Sequence, residues 1–126
     1  MEFFVYGTLT DPERATAILS EWTDHGEAVL DGLHRVEGQY PTLAPGGTTD
    51  GRILATPEVD ALDEYEGVDS GLYVRVTVPR ADGGQVAVYV GDPNRLDAAA
   101  EWPGTGPFPE RVRSYLDTAA SLVRTQ

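Results

Sequence analysis

Two short stretches carry residues that could do chemistry. The first is Tyr6-Gly7-Thr8-Leu9, which closes the apolar run Phe3-Phe4-Val5. A strand that ends on a glycine leaves backbone N–H groups unpaired. Such groups can cradle a carboxylate or a developing oxyanion, although the same residues also read as a plain strand-to-loop turn. The second stretch is Leu62-Asp63-Glu64-Tyr65-Glu66-Gly67. At about 100° per residue, Val59 and Leu62 define the apolar face of a helix, Glu66 projects between them, and Asp60 and Glu64 point away. Glu66 also falls in the last turn, before Gly67, where the helix dipole disfavours a carboxylate. Burial and the dipole would both raise its pKa above about 4.3. That suits a group that takes a proton and returns it. The plain alternative is a helix-end glutamate that bends out to water or pairs with an arginine such as Arg75.

Composition removes most other chemistries. The chain of 126 residues has no cysteine, so disulfides, thiol nucleophiles and thiolate metal sites are excluded. Its only histidines are His25 and His34. A three-histidine metal site is impossible, and both read as structural. All nine basic residues are arginine. Without lysine, Schiff-base, pyridoxal and phosphate-loop enzymes are excluded. No nucleophile elbow or dinucleotide fingerprint occurs, and Gly104-Thr105-Gly106 lacks the third glycine. The net charge of −12 argues against a nucleic-acid partner. Dense negative charge suits a protein adapted to high salt, where screening shortens to about 3 Å at 1 M. No apolar run reaches the roughly 18 residues needed to cross a membrane. Met1-Glu2-Phe3-Phe4-Val5 lacks a basic region and a cleavage site, so a structural first strand and a cytoplasmic protein are expected.

The elements that must position these residues follow from periodicity. Residues 2–6 read as a buried strand. Thr10 or Asp11 caps a helix with Pro12 at its first position, and Ala15, Ile18, Leu19 and Trp22 continue its apolar face. Residues 27–36 read as a strand bent at Gly32. Residues 39–51 read as loop, with a short strand over 52–55. Thr56-Pro57 opens the second helix, which stops at Gly67. Leu72 to Pro79 alternates as a strand, Asp82-Gly83-Gly84 is a hairpin signal, and residues 85–90 return. A helical turn is expected between Leu96 and Trp102. From Pro109 onward, Val112, Tyr115, Leu116, Ala119, Leu122 and Val123 predict a long amphipathic helix. No linker or repeat divides residues 1–126, so one α+β domain is expected, with a largely antiparallel sheet able to curl into a small barrel. Oligomeric state is not set by these patterns. Trp22, Trp102 and Phe108 fit either core or interface.

Taken together, three segments resemble the gamma-glutamylcyclotransferase-like family, which includes gamma-glutamylamine cyclotransferase and AIG2-like proteins. They are Phe4-Val5-Tyr6-Gly7-Thr8-Leu9, Gly38-Gln39-Tyr40-Pro41-Thr42-Leu43, and Leu62 to Gly67 followed by Leu72-Tyr73-Val74-Arg75-Val76-Thr77-Val78. They match in order and spacing over residues 3–90. The resemblance implies a small mixed β-barrel with flanking helices and a ligand cavity between the first loop and the glutamate. It implies release of 5-oxoproline from a gamma-glutamyl amine or peptide. Glu66 would be the acid/base and Tyr6, Gly7, Thr8 and Leu9 the substrate-holding loop. Tyr40 and Tyr73 would be pocket walls, with Arg75 close by. The substrate carries its own nucleophile, the α-amine, so no metal or cofactor is required. Where many relatives have a basic stretch after the first loop, this chain has Thr10-Asp11-Pro12-Glu13. Where relatives of this size end in a Ser-Gly-Asp-Trp-like segment, it has Trp102 to Phe108. Both departures are expected near the pocket. Two further readings stay open: a barrel that binds an amino-acid-like ligand without turning it over, and transfer or hydrolysis of the gamma-glutamyl group.

Overall fold

A computed structural model describes residues 1–119 and 121–125. The order is β1 (Glu2–Val5), a 3-10 turn (Thr8–Thr10), α1 (Pro12–Ile18), β2 (Thr23–Val36), β3 (Thr42–Ala55), α2 (Val59–Glu66), β4 (Tyr73–Pro79), β5 (Gln85–Gly91), α3 (Pro93–Leu96), α4 (Phe108–Thr118) and β6 (Leu122–Thr125). The strands form one sheet in the order β4-β5-β1-β3-β2-β6. All pairings are antiparallel except β1 with β5. At one end the edge strands nearly meet. Arg80 bridges Val123, and the Ala81 N–H donates to the Val123 carbonyl at 2.8 Å. The sheet is therefore a curled half-barrel. No helix among the described residues is long and apolar enough to cross a membrane.

Both faces of β1 are covered, which is why it reads as an unbroken apolar run. Phe4 and Tyr6 enter the concave core with Leu30, Leu33, Leu43 and Ile53, a core closed by Trp102, Phe108 and Tyr115. Phe3 and Val5 point the other way, into a layer with Ala15, Leu19, Leu62 and Leu96 from the helical side. Full burial of each large apolar side chain is worth about 1.5–3 kcal/mol. Trp102 and Phe108 pack edge-on against this core while residues 103–107 between them are exposed, and none of the segment lines the cavity expected beside it.

Local rules place the first helix well. The Asp11 carboxylate accepts from the Glu13 N–H at 3.0 Å, and Pro12 follows it at the first helical position. The helix ends at Ile18, one turn short of Trp22. Tertiary bonds capture the next residues: Glu58 accepts from the Ser20 hydroxyl and the Glu21 N–H, and Thr56 donates to the Glu21 carbonyl. The expected bend at Gly32 is present, with φ of 101° and a register shift between Asp31 and Leu33.

Three further expectations fail. Residues 42–51 are strand, not loop: β3 pairs with β2 from Thr42 opposite Val36 to Ala55 opposite Thr23. Gly46 and Gly47, both at positive φ, absorb an extra residue inside that ladder, so a turn signal marks a bulge. The helical turn after Leu96 is displaced to Pro93–Leu96, capped by Asp92. The last helix stops at Thr118, and Leu122 and Val123 belong to β6, which pairs with Ala28–Asp31 of β2. The helical expectation at Ala120 lies outside the described residues. A short apolar run fits either period, and here the open edge of β2 takes it.

Candidate active site

Glu66 is the last residue of α2. Gly67 ends the helix in the left-handed conformation (φ 70°, ψ 39°), and the Val68 N–H donates back to the Asp63 carbonyl at 3.0 Å. This closure fixes where Glu66 points: it lines a cavity of about 280 Å³. The loop after β1 forms the facing wall through Tyr6, Thr8 and Leu9, and Tyr40, Tyr73 and Tyr89 add aromatic surface. Burial pushes the Glu66 carboxyl up from 4.5 to about 7. It has no hydrogen-bond or ion-pair partner among the described residues.

The residues from Gly7 to Thr10 form the start of a single 3-10 turn. The Gly7 carbonyl accepts from the Thr10 N–H (3.1 Å) and the Thr10 hydroxyl (2.7 Å). The N–H groups of Gly7, Thr8 and Leu9 find no acceptor among the described residues, as the first donors of a helical turn do. Gly7 itself has φ −122°, and a Cβ there would lie 3.8 Å from Pro41 Cγ, an ordinary contact. Neither a left-handed turn nor internal packing therefore calls for glycine at this position.

The tyrosines are held as neutral structural posts. Tyr6 donates to the Tyr89 carbonyl at 2.5 Å, Tyr73 to the Pro41 carbonyl at 2.6 Å, and Tyr89 to Asp63 Oδ1 at 2.7 Å. Burial, first of all, raises all three phenols above their ordinary range, and the nearby Glu66 charge adds to this. Tyr40 hangs over the cavity with 57% of its surface exposed.

Tyr6, Thr8, Leu9, Tyr40, Glu66 and Tyr73 thus share one cavity, and Gly7 lies between two of its wall residues. Arg75 does not reach the wall. Its Nε pairs with Asp63 Oδ1 at 3.1 Å, so the expected alternative of a Glu66–Arg75 pair is not what forms. Arg75 is tied to the site through Asp63, which in turn accepts from the Tyr89 hydroxyl. The departure at Thr10–Glu13 does lie beside the cavity, since Arg14 is on its wall.

Sequence reasoning missed Arg14, Tyr65 and Tyr89. Tyr65 meets the Thr8 hydroxyl at 2.7 Å and thereby ties α2 to the loop after β1. Tyr89 could have been found from the hairpin register, which sets it opposite Arg75. Arg14 and Tyr65 lie on outward helix faces, where pattern gives no signal. Among the described residues, no group of His, Asp and Glu is placed to hold a metal ion.

The curled half-barrel with its four helices is the gamma-glutamylcyclotransferase-like fold. A solved gamma-glutamyl cyclotransferase superposes with a TM-score of 0.59 over 94% of this chain and 99% of that one, at 18% identity, a likeness of fold alone. A solution structure of an Arabidopsis thaliana protein gives 0.55 at 28% identity, covering 90% and 81% of the two chains. The chain belongs to the gamma-glutamyl cyclotransferase, AIG2-like family, whose sequence model matches residues 3–104. It is similar to AIG2-like protein C of Arabidopsis thaliana, 41% identical over 85 residues, 61% of this chain and 48% of that protein. The chain spans about half the length of the curated relatives it matches.

Proposed function

We propose that this protein is a cyclotransferase that releases 5-oxoproline from a gamma-glutamyl amine or peptide, with Glu66 as the proton carrier. The observation that carries the reading is the unpartnered Glu66 carboxyl, shifted to about 7 by burial, across one cavity from the loop after β1. At neutral pH a substantial fraction of Glu66 is ionised and can take a proton from the α-ammonium of a gamma-glutamyl group. The freed nitrogen attacks the γ-carbonyl carbon and closes a five-membered ring. Charge develops on the former carbonyl oxygen, where N–H groups of Gly7, Thr8 and Leu9 would stabilise it or anchor the α-carboxylate. Glu66 returns its proton to the leaving nitrogen and takes the second proton from the ring nitrogen. The bond from that carbon to the leaving nitrogen breaks, and Glu66 passes the second proton to the departing amine, which leaves as an ammonium. No water is consumed.

Ring closure within one substrate removes most of the entropic cost of bringing reactants together. Acid–base help of about 10²–10⁴-fold is the share required of Glu66. The test is 5-oxoproline release from a panel of gamma-glutamyl amines and dipeptides, in dilute buffer and in molar salt. Turnover by the native chain, lost in folded Glu66→Gln, supports the reading. Silence across the panel, with ligand affinity intact in both proteins, would instead make this a binding barrel.

A further inference from the structure

The cavity wall carries two charged side chains, Glu66 and Arg14. They form no ion pair with each other, and Arg14 has no ion pair at all among the described residues. Its nearest tie is a long contact, 3.4 Å, from Nη1 to the Tyr65 hydroxyl. Arg95, Arg111 and Arg113 likewise form no ion pair among the described residues, so what sets Arg14 apart is its place, as the one cationic side chain on this wall. Arg35, Arg52, Arg75, Arg80 and Arg124 all meet carboxylates. Arg14 stands on the exposed face of α1, at the rim of the cavity.

On the proposed cyclotransferase reading, the α-amine and the γ-carbonyl must both lie against Glu66. The glutamyl half is then the inner half, and the leaving amine points toward the opening. A guanidinium there meets whatever the amine half carries. It also offsets the repulsion that the acidic surface exerts on an incoming anion. We propose that Arg14 is a specificity-determining residue that receives an anionic group on the leaving half. The preferred substrates would be gamma-glutamyl amides whose amine bears a carboxylate, over neutral amines of the same shape.

The test compares gamma-glutamyl-alanine with gamma-glutamyl-alaninamide, which differ in that one charge. The native chain is expected to favour the acid by about tenfold in kcat/KM, expressed mainly in KM, as a guanidinium–carboxylate contact provides. Arg14→Gln should bring the ratio close to one, Arg14→Lys should restore part of it, and 1 M salt should shrink it in the native chain. A ratio that Arg14→Gln leaves unchanged overturns the inference. So does an equal loss on both substrates, which would put the guanidinium on the shared glutamyl half. The same pair is also titrated calorimetrically against Glu66→Gln, with and without Arg14→Gln. If the native chain releases no 5-oxoproline from either compound, the catalytic reading fails, yet the ratio of affinities still decides the role of Arg14. Absence of binding by both compounds overturns both.

Discussion

Replacing Glu66 by glutamine should stabilise the protein at alkaline pH and do so much less in acid. The unfolded chain ionises this carboxyl near 4.5, whereas the folded chain ionises it near 7. Between those values the folded state holds the extra proton, so its stability falls as pH rises through the window. Above about 7 the full penalty of a buried carboxylate is present, and below 4.5 none of it is. The difference, at about 1.4 kcal/mol per pH unit, sets a ceiling of about 3 kcal/mol. Solvent reaches part of the group through the cavity mouth, so a gain of about 1–3 kcal/mol is expected for Glu66→Gln at pH 8. Glutamine keeps the volume and the helix-end geometry and removes only the charge. Urea unfolding of both proteins at pH 5 and pH 8 reads the effect, and the offset should grow between the two conditions. An offset that is flat with pH would refute the argument, as would a carboxyl titration by carbon NMR with its midpoint near 4.5.

In the proposed reaction the same group must be ionised to accept the amine proton, so kcat/KM should fall on the acid side with a midpoint near 7. A midpoint near 4.5 would mean that another base serves. Gly32→Ala should cost about 1–3 kcal/mol, because φ is +101° and the new Cβ would sit 2.6 Å from Ser121 Oγ. Gly26→Ala, at φ +99° with open space around it, should cost only the backbone share, about 1 kcal/mol, and paired denaturant midpoints separate the two. Salt should stabilise a chain of net charge −12, with Tm rising from dilute buffer to 1 M NaCl, and a Tm that does not rise would remove salt adaptation as the reason for the acidity.

The placement of Glu66 on the cavity was legible because it breaks local rules. Glu66 occupies the apolar face of α2 at the end where its charge is least welcome, and no packing reason accounts for that. Asp11-Pro12 and the Asp82–Gly84 hairpin were legible for the opposite reason, because they obey rules set by a few neighbouring residues. What was hidden depends on distant partners. Thr42 to Gly51 looks like loop because its glycines serve a bulge whose other half lies on β2. Leu122 and Val123 fit a helix until the unpaired edge of β2 claims them. Arg14 has no signature in its own helix; only the assembled cavity shows that it shares a wall with Glu66.

Strand β1 lies inside the sheet, zipped on one flank to β3 and on the other to β5. During synthesis it must wait for Ala87, its contact on the second flank, long after its own residues have emerged. Throughout that interval one flank of β1 lacks its partner, and Phe3 lacks the Tyr89 ring that stacks on it. The hollow beside Glu66 takes one wall from the tail of β1 and another from Tyr89 on β5, so no shorter intermediate owns it. The hollow is therefore finished once β5 docks on β1, a step that does not need β6, whose place is at the far edge of the sheet on β2.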